Sequence, residues 1–279
     1  MSNCSSETHR PALAEESIAC RPDKPGQTRP LREGEWILFS SRVNTFLPKA
    51  TNRLHSLPRL PFSCALAVFA RAPIAGEAKT RLIPRLGPDG AAEFQAALTS
   101  DTLRKLRRLS LRVARYVFIS GRGFSLFPGE GNGPLVRQRG AGLGERLAHA
   151  FRRLLRRHAA VVIIGTDSPR LSKRLLRQAF QELRACEAVL GPCPDGGYYL
   201  IGLRRFRPGM LTGVRWGTAH AFQDTLRRFL EHALCCSILP PVADVDRPQD
   251  LLRLQRELRH NAQARRLAPA AWRFLKNLR

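Results

Sequence analysis

No run of the sequence is apolar for long enough to cross a bilayer, so no membrane span is expected. No short basic segment followed by an apolar one opens the chain, which argues against a secretory signal and for a cytoplasmic protein. None of the seven cysteines (Cys4, Cys20, Cys64, Cys186, Cys193, Cys235 and Cys236) forms a C-x-x-C pair, and their number is odd. Neither a disulfide framework nor a zinc site is therefore expected, and a reducing compartment fits the pattern. The vicinal Cys235-Cys236 pair reads as packing at the start of an apolar strand rather than as a thiophilic site. The Walker signature G-x-x-x-x-G-K-[ST] is missing, as are a zinc finger, a concentrated basic tail and an aromatic-interleaved RNA-binding motif.

The chain has 279 residues, of which 43% are hydrophobic, enough for one large α/β domain or two small ones. The net charge is +25, with +3 in residues 1–60 and +22 beyond them. Nearly all of this charge is arginine on helix faces, as in LRKLRRLSLR and FRRLLRRH. Solvated helix faces, encouraged by a GC-rich coding sequence, explain it better than an anionic partner, although nucleic acid stays open as a partner.

Residues 1–60 are rich in Ser, Pro, Thr and charge, and only WILFS (36–40) is apolar there. They read as a disordered extension, or an over-extended start of translation, ahead of a single domain over 61–279. From Pro61 strand and helix patterns alternate. Strands are expected at 64–70 (CALAVFA), 113–120 (VARYVFIS), 160–165 (AVVIIG), 188–190 and 198–203. Helices are expected at 89–109, 144–158, after the capping Ser172, at 219–230 and at 249–258. This alternation implies a doubly wound, mostly parallel sheet flanked by helices, with ligands beyond the carboxyl ends of the strands.

Four segments lie just beyond expected strand ends. FARAPIAGEAKTRL (69–82) leaves its strand with flexible Gly76 and with Lys79 and Arg81, a loop able to cradle phosphates or simply a basic loop. In IGTDSP (164–169), Asp167 leaves the most hydrophobic strand, where a carboxylate needs a partner: a divalent cation, or the N–H groups of the following turn. In GPCPDGGYYLIGL (191–203), Asp195 shapes a tight Gly-Gly turn or bonds a substrate hydroxyl. In ADVDRPQDL (243–251), Asp244 and Asp246 are two apart and share one side of an extended segment. Asp246 is a helix cap, a metal ligand, or both.

These segments, with GLGERLAHAF (142–151) and VRWGTAHAFQDTL (214–226), stand in the order found in a bacterial transferase family. The sequence from about 63 to 258 resembles the radical-SAM/selenodomain-associated, arsenosugar-biosynthesis glycosyltransferase-like members of the GT-A superfamily of nucleotide-diphospho-sugar transferases. The resemblance implies a GT-A-like fold and a donor that is a nucleotide or nucleotide sugar. It implies that the loop of Ala72, Pro73, Gly76, Lys79, Thr80 and Arg81, with Thr166, wraps the nucleotide. Asp167 and Asp246 match metal-binding acids for Mg²⁺ or Mn²⁺. Asp195, Gly196, Gly197 and Tyr198 match the side that receives a small-molecule acceptor, with Asp195 and Lys79 as catalytic groups. Trp216 and Thr218 match a recurrent stretch to which no role attaches. Two positions depart from the family: Gly142 stands where an acid usually precedes LGER, and Pro194 where an acid often precedes DGG, while Glu145 and Arg146 are kept.

The implied activity is metal-dependent glycosyl transfer. Its rival on the same residues is nucleotidyl transfer from a nucleoside triphosphate to a phosphorylated small molecule. A third reading, of another class, is a catalytically degenerate nucleic-acid-binding protein using its arginine faces.

Overall fold

The computed structural model describes residues 45–46, 63–124, 127 and 133–278. The strands among them are β1 (Thr45–Phe46), β2 (Cys64–Arg71), β3 (Val113–Ser120), β4 (Leu135–Arg137), β5 (Ala160–Ile164), β6 (Ala188–Pro192), β7 (Tyr198–Leu203) and β8 (Cys236–Ile238). The helices are α1 (Ile83–Arg107), α2 (Leu143–Leu155), α3 (Lys173–Ala185), α4 (Ala221–Glu231), α5 (Pro248–His260), α6 (Ala262–Leu267) and α7 (Pro269–Leu275). The strands form one sheet in the order β1-β8-β6-β7-β5-β2-β3-β4. β2, β3, β4 and β5 run parallel to their neighbours among themselves, as do β6 and β8, whereas β7 runs antiparallel to both β5 and β6. The doubly wound, mostly parallel sheet expected from the alternation is thus present. The expected extension over 1–60 lies outside the described residues, apart from β1, which pairs antiparallel with β8.

The central strands are buried on both faces, which is why they read as continuous apolar runs rather than alternating ones. Along β2, Leu66, Val68 and Ala70 enter one core with Leu103 and Leu106 of α1 and Leu176, Ala179 and Leu183 of α3. Ala65 and Ala67 enter the other, with Leu147, Ala150, Phe151 and Leu154 of α2 and Phe222 and Phe229 of α4. Each fully buried Leu or Phe contributes roughly 1.5–3 kcal/mol through removal from water. The amino-terminal half of α1 packs against α5–α7 in a third cluster around Phe94, Leu98, Leu251 and Leu258. Gly87, at φ 70°, breaks α1 just before Pro88, so its regular stretch starts close to the expected Asp89. Ser172 caps α3 as expected, its Oγ accepting from the Leu175 N–H at 3.2 Å.

Cys186, the C-cap of α3, and Cys235, just ahead of β8, face each other with Cα atoms 5.0 Å apart. The partners are 49 residues apart and meet because β6 lies beside β8, a pairing that spacing alone does not reveal. Cys236 is fully buried at the strand start, as its sequence context suggested.

Candidate active site

The carboxyl ends of β2, β3 and β5 open into a cleft of about 520 Å³. The loop after β2, expected to cradle phosphates or to be simply a basic loop, supplies one wall through Lys79, Thr80 and Arg81. Ala72 N–H continues the sheet by donating to Ser120 C=O at 3.0 Å. The chain then tightens into a turn, with Ala78 N–H donating to Ile74 C=O at 2.9 Å and Gly76 at φ 78°. A side chain at Gly76 would strain that backbone, although the space beside it is open. The turn ends on Lys79, a non-glycine residue held in the left-handed region at φ 46° and ψ 44°. Such a conformation persists where surrounding contacts over-determine it.

Those contacts are three. Lys79 Nζ donates to Asp246 Oδ1 at 2.8 Å and to Val245 C=O at 2.7 Å, and pairs with Asp167 Oδ1 at 2.7 Å. Its side chain is 5% exposed. Burial alone would push the Lys79 ammonium down, but Asp167 and Asp246 outweigh it and hold it above the usual lysine range. Burial likewise opposes ionisation of Asp246, and Lys79 overcomes it, so this carboxyl lies below its usual value. Arg81, mostly exposed, adds a second positive charge 3.7 Å from Asp246 Oδ2.

The two acids come from loops that are clamped together. Val245 N–H donates to Asp167 C=O at 2.9 Å. Thr166, 3% exposed, receives Gln95 Nε2 on its hydroxyl at 3.0 Å, and the buried Lys105 Nζ donates to Pro169 C=O at 2.5 Å. On the other side, the Asp250 carboxylate caps back onto Arg247 N–H at 2.9 Å and Asp246 N–H at 3.3 Å. Asp246 itself is not the helix cap: Arg247 takes the N-cap position of α5, and Asp246 turns to Lys79.

Of the expected site residues, Lys79, Thr80, Arg81, Thr166, Asp167, Tyr198 and Asp246 line the cleft. Ala72, Pro73, Gly76, Asp195, Gly196 and Gly197 do not form its wall; the first three shape the loop that carries Lys79. Asp195 Oδ1 accepts from Gly197 N–H at 2.9 Å, so this carboxylate shapes the turn. Gly196, at φ 86°, lies so close to Ala219 that a Cβ would come 2.1 Å from its carbonyl oxygen. Asp195 also approaches Cys193 and Asp244, whose ligand atoms lie within 4.8 Å of one another and of its own. That group adjoins the Lys79-bridged pair, whose Asp246 and Lys79 both act on the Asp244 carboxyl.

Gln95 and Gln138 line the cleft and were not singled out from the sequence. Gln138 Nε2 donates to Ala70 C=O at 3.3 Å and Phe118 C=O at 3.0 Å, fixing the amide across the ends of β2 and β3. Glutamines carry no periodic signal, and only the strand register brings these partners together. Trp216 now has a structural place: its ring meets Tyr198 edge-on at 6.1 Å and covers Gly144, where a Cβ would fall 2.5 Å from its Nε1. Thr218 Oγ1 donates to Arg215 C=O at 2.8 Å within the same turn. Gly142, the position of the family's missing acid, is the N-cap of α2 and has open space around it. Glu145 accepts from Ala141 N–H at 2.9 Å, and Arg146 Nε donates to Gly140 C=O at 3.0 Å beside the cleft.

No functionally curated protein matches the chain. Residues 102–218 match the family described as "Uncharacterized protein conserved in bacteria (DUF2064)". Among solved structures, a proposed nucleotide-diphospho-sugar transferase from Desulfovibrio desulfuricans G20 is 32% identical with a TM-score of 0.69; the match covers 76% of this chain and 94% of that one. The 4-diphosphocytidyl-2C-methyl-D-erythritol synthase of Anaerococcus prevotii matches at 12% identity and TM-score 0.49, covering 71% of this chain and 97% of the other. Rv0371c of Mycobacterium tuberculosis matches at 20% identity and TM-score 0.47, covering 69% and 97%. Likeness at these last two levels says nothing about chemistry. The Desulfovibrio match shows the kinship: the chain belongs with the nucleotide-diphospho-sugar transferase-like proteins, and its residues 102–218 carry the DUF2064 match.

Proposed function

We propose that the protein transfers a glycosyl group from a nucleotide-diphospho-sugar to a hydroxyl or similar group of a small-molecule acceptor. The observation that carries this reading is the Lys79–Asp167–Asp246 cluster at the floor of an open cleft. In such a transfer, the bond between the anomeric carbon and the β-phosphate oxygen breaks. The acceptor oxygen bonds to that carbon and loses its proton, and the nucleoside diphosphate leaves with the bonding electron pair. Negative charge therefore develops on the diphosphate, and catalysis gains most by stabilising it there. Lys79 and Arg81 are the cations placed for that task.

The oxygens around Lys79 Nζ fit a hard cation. Two carboxylates and a backbone carbonyl converge on one point, which is the donor set that Mg²⁺ or Mn²⁺ takes. Asp167 and Asp246 are the residues that would hold it, and it would supply further neutralisation of the leaving diphosphate. The walls then divide the work. Thr80 and Thr166 offer hydroxyls toward the nucleotide, Gln138 closes the β2–β3 end, and Tyr198, backed by the Trp216 ring, borders the acceptor side. Asp195 holds the turn that precedes Tyr198, and through that turn the acceptor side.

Product analysis tests the reading. The protein is incubated with Mn²⁺ and, in parallel, a panel of sugar nucleotides and a panel of nucleoside triphosphates, and the products are resolved by anion-exchange chromatography. Nucleoside diphosphate released from one sugar nucleotide supports the proposal. Pyrophosphate released from a nucleoside triphosphate, with no sugar nucleotide consumed, replaces it with nucleotidyl transfer.

A further inference from the structure

Lys79 uses its whole donor capacity inside the protein. An ammonium has three N–H groups, and three oxygens take them: Asp167 Oδ1 at 2.7 Å, Asp246 Oδ1 at 2.8 Å and Val245 O at 2.7 Å. No N–H is left for a phosphate while that arrangement lasts. The same three oxygens are those a divalent ion would take. An ammonium and a divalent ion about 3 Å apart repel each other strongly in a buried setting, so they cannot share the point. Moving Lys79 aside with nothing to receive it would leave an unpaired charge in a pocket where its side chain is 5% exposed. A diphosphate removes both obstacles. It offers the ammonium a new anionic partner, and it gives the ion further oxygen ligands.

We propose that Lys79 is the resident cation of this site, and that a divalent ion enters only together with a diphosphate group, onto which Lys79 swings. This rests on the transferase reading above. The left-handed backbone at Lys79 belongs to the resting position of the residue, held there by the three contacts at its tip. By linkage, the ion and the diphosphate tighten each other's binding by the same factor.

The test is Mn²⁺ binding to the full chain, followed by electron paramagnetic resonance of the free ion, with inorganic pyrophosphate as the second probe. Wild-type protein is expected to bind Mn²⁺ weakly alone and at least about tenfold more tightly once pyrophosphate is present, after correction for the Mn²⁺–pyrophosphate complex in solution. Lys79→Met keeps the apolar stem and removes the charge. It is expected to bind Mn²⁺ alone at least about tenfold more tightly than wild type. Adding Asp167→Asn to that variant should remove the gain. Equal Mn²⁺ affinity of wild type and Lys79→Met without pyrophosphate overturns the proposal. So does tight binding that survives in the Lys79→Met/Asp167→Asn double variant. Should Lys79→Met fail to fold, the wild-type comparison decides alone: no tightening by pyrophosphate overturns the proposal. No sugar nucleotide is present in this measurement. Failure of the transferase reading appears as absent product with the Mn²⁺ pattern intact; failure of the proposal appears as tight Mn²⁺ binding by resting protein that still forms product.

Discussion

Replacing Asp244 with Asn should stabilise the fold at pH 8, and by only about a third as much at pH 5. Asp244 lies within ligand distance of Asp195 and Cys193 and two residues before Asp246. Burial pushes its carboxyl up to about 7; Asp195 and Asp246 push the same way, against a weaker pull from its own backbone and from Lys79. The unfolded chain loses this proton near 3.8. Between those values the folded state holds a proton that the unfolded state has released, so stability falls as pH rises through the window. A gap of about three pH units corresponds to ~4 kcal/mol without screening. Asp244 is partly exposed, so solvent reduces this to roughly 1–2 kcal/mol. Asn has no charge to acquire, so the variant escapes the loss. At roughly 2–4 °C per kcal/mol for a domain of this size, its melting temperature at pH 8 should exceed that of wild type by about 2–8 °C. The assay is thermal unfolding at pH 5 and pH 8 in a chelator-containing buffer. A variant that melts with or below wild type at pH 8 would refute the account of three crowded carboxyls.

Three further substitutions probe the frame of the site. Gly196→Ala combines a positive φ with a Cβ 2.1 Å from the Ala219 carbonyl oxygen, so it should cost more than about 2 kcal/mol in urea unfolding. Gln95→Leu takes the donor from the buried Thr166 hydroxyl; it should cost about 1–3 kcal/mol and weaken nucleotide binding by calorimetry, whereas unchanged binding would remove Gln95 from the positioning of that loop. Ser172→Ala removes the α3 cap and should cost about 1 kcal/mol with no change in nucleotide affinity, because the cap lies outside the cleft wall.

Much of the frame is legible in the sequence because it is local. β5 is a five-residue apolar run buried throughout, α2 shows its apolar stripe of Leu147, Ala150, Phe151 and Leu154, and the Gly-Gly turn joins β6 to β7. What escaped is short or long-range. β4 has three residues, too few for a periodic signal, and α6 and α7 are short helices whose placement rests on packing against α1. The approach of Cys186 to Cys235 follows from sheet order, not from spacing. In the site, the residue types and loops could be read, but their contacts could not. Lys79 meets Asp246 across 167 positions, and Gln95 meets Thr166 across 71. Asp246, on sequence grounds a helix cap, a metal ligand, or both, is released from the capping role because Asp250 supplies the return bonds to the helix start.

The central claim is that Asp167 helps hold a metal-dependent nucleotide site. The most direct measurement is thermal melting of wild type and Asp167→Ala with a panel of sugar nucleotides, with and without Mn²⁺. A ligand at about one hundred times its dissociation constant stabilises by ~2.7 kcal/mol, a rise of several degrees. The account predicts that rise for wild type with one sugar nucleotide and Mn²⁺ together, and its loss in Asp167→Ala. A rise of equal size in Asp167→Ala, or one indifferent to Mn²⁺, would contradict it.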